Sequence, residues 1–435
     1  MNAPRTMNFV FTTWEGGGSV GPALTVARKL VARGHRVRVM SDRCNRPESE
    51  AAGAAFVPWT RAPSRCDRSK ESDIFRDWEL DTPQEQIQRV LDRVWTGPAL
   101  AYARDIVEEL EREPADLVVS SEMLFGVMAG CEAIGQKFAL LTCNISMFPL
   151  EGVPPIGPGL APATTPEEEA LHREVADANR RMLEGGLPAL NAARVALRLP
   201  AVGSLGEQHL AAEAMLLGTA RAFDFAPPAL PPHVRYVGPQ LDDPAWAQPL
   251  PSLWLDEDRR PLVLVAFSTS FQDHAGVLQR IIDAAADLPV RLLATLGETI
   301  APEELKPAPN ARLVHSAPHN QVMPQAALVV THGGHGTVTR ALMHEKPLLL
   351  VPHGRDQNDN AVRVTARGAG LMLQAGAGET AFRRAIEALL TNPRYAAAAR
   401  TLGAAVRREV ETSPVVAELE ALAACHCAAG QLKAA

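Results

Sequence analysis

Cysteine pairs, long apolar runs and a surplus of positive charge are all missing from this sequence. Its six cysteines, Cys44, Cys66, Cys131, Cys143, Cys425 and Cys427, form no C-x-x-C pair and have no matching histidine spacing. That pattern excludes a zinc ribbon and a disulfide framework, and the thiols read as small buried or incidental side chains. No apolar run approaches the roughly 18 uninterrupted residues of a membrane span, and the start MNAPRTMNFVFTTW lacks the apolar core of a secretion signal. A cytoplasmic protein with no stable membrane insertion is expected. Lys and Arg number 43 against 50 Asp and Glu, a net charge of -7, whereas a nucleic-acid binder needs a basic face to neutralise phosphates.

What is present is an ordinary globular composition, 46% hydrophobic and 21% charged over 435 residues, long enough for two domains with separate cores. In the first half, strand-like NFVFTT, RVRVMS, DLVVS, FALLTC and AMLLGTA alternate with helical stretches ending near Arg33, running from Gln84 to Arg112, reaching Ile134, and returning up to about Leu199. Such alternation predicts a parallel sheet covered on both faces. The polar, irregular piece from Cys44 to Pro83 reads as loops over a binding cleft. Phe148 to Pro166, FPLEGVPPIGPGLAPATTP, is an extended loop because its prolines fix φ and remove donors. A second proline-rich connection, FAPPALPPHVRYVGPQLDDPAW, marks the domain boundary. Beyond Pro261 the alternation restarts with LVLVAF, a helix from Asp273 to Asp287, VRLLATL, ARLVH, ALVVTH, a helix to His344, PLLLVP, a helix to Arg367 and GLMLQ. The prediction is an α/β protein of two doubly wound, Rossmann-like domains facing a central cleft, with ligands outside the C-terminal strand ends. Its parts are a first domain over 1–225, a linker over 226–260, a second domain over 261–410, and a C-terminal helix over 411–435 packing back across the junction.

Two glycine-rich stretches carry the chemistry. In the first, EGGGSVGP, Gly16, Gly18 and Gly21 fit G-x-G-x-x-G between a strand and a helix, and Asp42 follows about 20 residues on, as in a dinucleotide fingerprint. Trp14 and Glu15 speak against it, because a bulky ring and a negative charge then stand beside the phosphate site. The second is LVVTHGGHGTVTRALMHEKPLLLVPHGRDQNDNAVRVTARGAG, Leu328 to Gly370. A buried strand there ends in His332-Gly333-Gly334 and a helix starts near Gly336 and Thr337, so backbone N–H groups, a helix dipole, a hydroxyl and an imidazole converge on an anion site. The next strand ends before Asp356 and Gln357, a carboxylate and an amide suited to vicinal hydroxyls. A phosphate grip beside a polyol grip points to a sugar nucleotide.

These motifs closely resemble, over nearly the whole chain, the nucleotide-sugar-dependent GT-B glycosyltransferases of family 1 that act on natural products. The resemblance implies an inverting, metal-independent glycosyltransferase with no cofactor, a nucleotide diphosphate sugar as co-substrate, and an apolar acceptor such as a polyketide or aromatic aglycone. By that likeness His332, Gly333, Gly334, Gly336 and Thr337 take the diphosphate, Asp356 and Gln357 the sugar hydroxyls, the Ser316-Ala317 backbone the base, and Thr269 and Ser270 a phosphate. The acceptor lies by Trp14, Gly18, Phe148 and Pro154, and the protein works as a monomer or homodimer. Arg340 stands where much of the family has a ribose-binding glutamate, which makes a TDP sugar as plausible as a UDP sugar. EGGGSVGP is then the acceptor-side loop.

The likeness departs at the catalytic dyad. Ser19 stands at the family's catalytic histidine and Ser121, in DLVVSSE, at its aspartate. Serine is no general base near neutral pH without an activating partner. Three alternatives are open: Glu15 or Glu122 takes over as base; the acceptor is acidic enough, an ionised phenol or an electron-rich aromatic carbon; or the chain is a non-catalytic homologue that binds a nucleotide sugar or assists a partner enzyme.

Overall fold

The computed structural model describes residues 5–243, 258–267, 272, 274–297 and 300–425. Two parallel sheets carry the architecture. The first has the order β3-β2-β1-β4-β5-β6-β7, formed by β1 (Asn8–Thr12), β2 (Arg36–Ser41), β3 (Ala55–Pro58), β4 (Leu117–Ser120), β5 (Phe138–Leu141), β6 (Met215–Leu217) and β7 (Val234–Tyr236). The second has the order β10-β9-β8-β11-β12-β13, formed by β8 (Leu262–Ala266), β9 (Arg291–Thr295), β10 (Ala311–Val314), β11 (Ala326–Thr331), β12 (Leu348–Leu350) and β13 (Gly370–Met372). The interior strands read as nearly unbroken apolar runs because helices cover both faces. In β1, Phe9 and Phe11 pack into one layer and Val10 into the opposite one. The two-domain α/β fold expected from the sequence is present.

Strand order reverses between β1 and β4 in the first sheet and between β8 and β11 in the second. Ligands of open α/β sheets bind at such switch points, outside the carboxyl ends. The loops after β1 and β4 and after β8 and β11 flank these switch points, and the neighbouring β5 and β12 add the loops that carry Phe148 and Asp356.

Three expectations need correction. The segment from Gln84 to Arg112 is two helices, Pro83–Val90 and Ala99–Arg112, joined through a wide turn at Leu91–Trp95. Pro98 lacks the donor to continue, and a side chain on Gly97 would meet the Asp92 carbonyl at 1.8 Å. The region from Cys44 to Pro83 contains β3 and a short helix, Arg46–Ala51. The supposed linker contains β7, which pairs in parallel with β6, so the first domain's sheet extends to Tyr236. β3 and β7 are edge strands of four and three residues, too short to show a period.

The domains share apolar packing. Ile145, Ala220 and Phe223 of the first domain belong to the layer formed by Leu262, Val329 and Leu350 of the second. The C-terminal helix Val415–Ala424 returns to the first domain, where Val415, Leu419 and Ala423 cover Phe9 and Phe11. Beside this junction Asp224, 1% exposed at its side chain, accepts a 2.8 Å hydrogen bond from Arg363 Nε, whose side chain is 3% exposed. Tyr236 Oη donates to the same carboxylate at 2.8 Å, and Arg363 lies over the Phe225 ring.

Removing one member of a buried pair strands the other charge. Asp224→Ala is expected to lower unfolding stability by roughly 3–5 kcal/mol in urea titrations, whereas Asp224→Leu combined with Arg363→Met recovers most of the loss.

Candidate functional site

A cleft of about 1370 Å³ opens between the domains, lined by both glycine-rich stretches. Its first-domain wall is largely apolar, with Trp14, Phe75, Val90, Trp95, Met123 and Phe148. The Trp14 ring meets Phe75 edge to face at 5.1 Å between centroids. Gly16 is required here, since a Cβ would stand 2.0 Å from that indole. Gly18 is exposed at the loop tip, and Pro154 lines the same wall.

The loop after β1 is held by its own polar groups. Asp42, 2% exposed, accepts the Glu15 N–H at 2.8 Å and the Arg65 N–H at 2.7 Å. Burial pushes its carboxyl up to about 6. With both oxygens engaged by loop backbone, Asp42 is not presented to a ribose. Gly21, in the first turn of the helix Val20–Ala32, allows no close helix–strand approach, since a Cβ there would meet nothing within 4 Å. The dinucleotide reading of EGGGSVGP is overturned on both counts.

The candidate bases fare differently. Glu15 accepts Gly17 N–H at 3.0 Å and Arg68 Nε at 3.0 Å, while Arg68 also holds Glu48 at 2.6 Å. The carboxylate is committed to an ion pair that braces the loop. Ser19 reaches the cleft, its Oγ donating to the Trp14 carbonyl at 2.9 Å. Ser121 and Ser19 border a second, water-sized cavity of about 10 Å³ with Thr13, Thr142 and Cys143. Glu122 is off the main cleft wall, and Met123 lines it instead. It is 1% exposed, its Oε2 is 3.4 Å from Ser121 Oγ, and its Oε1 has no hydrogen-bond partner among the described residues. Burial pushes this carboxyl up to about 7.

The opposite wall carries the second stretch. β11 delivers His332, and the helix His335–Met343 begins at the cleft with Gly334, His335, Gly336 and Thr337 on its surface. Gly333 has φ 98°, and a Cβ on Gly334 would lie 2.5 Å from His332 Nε2, so both glycines are dictated by the close turn under the imidazole. Burial, with the His353 and Arg355 charges nearby, lowers His332 to about 3 and keeps it neutral. Asp356 and Gln357 line the cleft from the start of the helix Gln357–Thr365. Burial raises the Asp356 carboxyl, opposed by Asn360, whose amide donates at 2.9 Å, and by Asn144 of the first domain. Gln357 accepts His353 N–H at 2.7 Å and donates to Gln272 at 3.0 Å.

Ser316 and Ala317 are buried and do not line the cleft. Thr269 and Ser270 lie outside the described residues. Arg340 reaches the cleft with Nε 3.9 Å from Asp243 and a terminal nitrogen 3.0 Å from the Asp242 carbonyl. Sequence reasoning missed His274, His353 and Asn144. His274 and His353 stand with ring centroids 4.4 Å apart, and His274 faces His332 at 5.8 Å. His353 and Asn144 closely follow β12 and β5, a detectable signal, whereas His274 lies further beyond β8, at the start of the helix Ala275–Ala285. Among the described residues no three His, Cys, Asp or Glu side chains converge as a metal site.

Comparison with known proteins identifies the family and the fold. Residues 279–422 match the family model described as Erythromycin biosynthesis protein CIII-like, C-terminal domain. The chain is 30% identical to 4'-demethylrebeccamycin synthase of Lentzea aerocolonigenes over 88% of its length and 91% of that protein. It is 26% identical to demethyllactenocin mycarosyltransferase of Streptomyces fradiae over 86% and 77%. The solved calicheamicin glycosyltransferase superposes with a TM-score of 0.73 at 23% identity, covering 96% of this chain and 98% of that one.

His332 provides a pH test of the site. An unfolded imidazole titrates near its ordinary 6.5, whereas the folded one stays neutral down to about 3. Unfolding therefore takes up a proton between these values, and stability falls as pH drops through that window. Relative to His332→Gln, wild type is expected to lose up to about 1.4 kcal/mol per pH unit between pH 6 and pH 4, read by urea unfolding.

Proposed function

The chain belongs to the GT-B natural-product glycosyltransferases of antibiotic pathways and is a glycosyltransferase, and from that premise we propose that it moves a sugar from a UDP or TDP sugar onto an apolar polyketide or aromatic acceptor, inverting the anomeric centre without a metal. The observation that carries this reading is one cleft with two unlike walls. An apolar wall of indole, phenyl and methionine side chains suits a flat hydrophobic acceptor. The facing wall offers a helix N-terminus and Thr337, suited to a diphosphate, and the His332 imidazole, which burial keeps neutral and whose ring bonds the Ala266 carbonyl; the charge of a bound diphosphate would favour the protonated ring, which donates from both nitrogens. No described helix is long and apolar enough to cross a membrane.

The displacement needs one bond made and one broken. An acceptor oxygen attacks the anomeric carbon as the bond to the diphosphate oxygen breaks, and the leaving diphosphate takes the electron pair. His332, Thr337 and the helix N–H groups stabilise that growing charge, while Asp356 and Gln357 orient the sugar. Ser19 and Ser121 supply no base, and Glu15 is held by Arg68. The acceptor accordingly arrives as a phenolate; where its ring carbon attacks instead of its oxygen, the dienone formed loses its ring proton to water or to the released diphosphate as the phenol is restored. Arg340, already turned to Asp242 and Asp243, supports TDP beside UDP. A second mechanistic reading rests on Glu122, whose raised carboxyl and unpartnered oxygen lie behind Ser121; it would act as base through that hydroxyl.

Removing a donor aimed at developing negative charge costs about 10²–10³ in kcat. His332→Ala is expected to lose turnover on that scale, and Asp356→Ala to raise the donor KM at least tenfold, in assays of nucleoside diphosphate release from UDP- and TDP-glucose. Unchanged turnover and donor affinity in both proteins would refute the proposal.

A further inference from the structure

The proline-rich loop after Phe148 lines the cleft through Val153, Pro154, Pro155, Ile156, Gly157 and Pro158. It does not end in solvent. On its own domain's side, Asn179 of the helix Pro166–Glu184 donates from Nδ2 to the Ile156 carbonyl at 2.8 Å. Beyond that point the chain crosses to the second domain. Asp359, 2% exposed, accepts the Gly157 N–H at 2.7 Å and also the backbone N–H of Gly159. Asn358 Nδ2 donates to the Gly157 carbonyl at 3.3 Å.

The backbone is shaped for this crossing. Gly157 and Gly159 have φ 123° and 79°, and a Cβ on Gly159 would stand 2.7 Å from the Asn358 carbonyl. A side chain at position 159 would both strain the turn and push the loop off the helix. On the helix Gln357–Thr365, Asp359 follows Asp356 and Gln357 within one turn. One rigid turn therefore faces the donor side of the cleft with its first residues and holds the acceptor-side loop with the next.

We propose that Asp359 is a positioning residue for the acceptor: by fixing the Gly157–Gly159 backbone it sets the apolar wall at a defined height above the donor residues, so that acceptor fit is controlled from the donor domain. The inference deepens the functional reading above and rests on it. Asp359 touches neither substrate, and its effect passes through the strap.

The test compares affinities at the two ends of the cleft. Binding of 4-methylumbelliferone, a fluorescent phenol, is read by its emission, and binding of UDP and TDP by calorimetry, in wild type, Asp359→Asn and Gly159→Ala. The second variant attacks the same contact from the loop and leaves the donor helix intact, which keeps the proposal testable if the first misfolds. Both variants are expected to weaken the phenol at least fivefold with nucleoside diphosphate Kd values within twofold of wild type. Unchanged phenol affinity in Gly159→Ala, no phenol binding by wild type, or an equal loss of phenol and nucleotide would overturn the strap. A wild-type protein that binds the phenol but neither nucleoside diphosphate contradicts the functional reading instead, and the phenol affinities of the variants still decide the strap.

Discussion

The buried pair between Asp224 and Arg363 fixes where the helix Gln357–Thr365 sits, and much of the cleft depends on that placement. Arg363 anchors its last turn to the first domain, with Arg367 just beyond it donating to the Asp224 carbonyl at 2.7 Å. Its first turn presents Asp356 and Gln357, and Asp359 holds the loop from the facing domain. An ion pair this dry is costly unless further hydrogen bonds support it, and here the Phe225 N–H and Tyr236 Oη both donate to the Asp224 carboxylate beside Arg363. Apolar packing of Phe223 and Ile145 against the second domain's strands removes the remaining freedom.

On the other wall the polar groups mostly brace rather than react. Asp42 pins the loop after β1, Arg68 gathers Glu15 and Glu48, and Ser19 bonds to the Trp14 carbonyl. The hydroxyl-lined cavity between Ser19 and Ser121 has room for about one water. Under the proposed mechanism such a wall holds a flat acceptor and does not deprotonate it, and charge stabilisation on the facing wall carries the greater part of the rate.

Much of this was legible in the sequence. The apolar strands, the two switch-point loops and the residues His332, Thr337, Asp356 and Gln357 follow from strand-end position alone, because a strand of known direction places its next residues at the cleft. Ser316 and Ala317 also follow a strand, yet they are buried behind the wall; strand β10 is the edge of its sheet, away from the switch point. Glu15 looked like a base because its partner Arg68 lies 53 residues away in a polar stretch with no period to place it. Glu122 looked accessible because only packing decides that Met123 lines the cleft in its stead. The strap was visible as a proline-rich loop, but its contact with Asp359 spans 202 residues and no local pattern announces it.

The central claim is that the acceptor brings its own reactivity and the protein supplies the leaving-group side. It is tested most directly by the pH dependence of kcat/KM for two phenolic acceptors of clearly different acidity. The account predicts an inflection that moves with the acceptor's own pKa and survives in Glu122→Gln. An inflection that stays near pH 7 for both phenols and vanishes in Glu122→Gln would contradict it and make Glu122 the base.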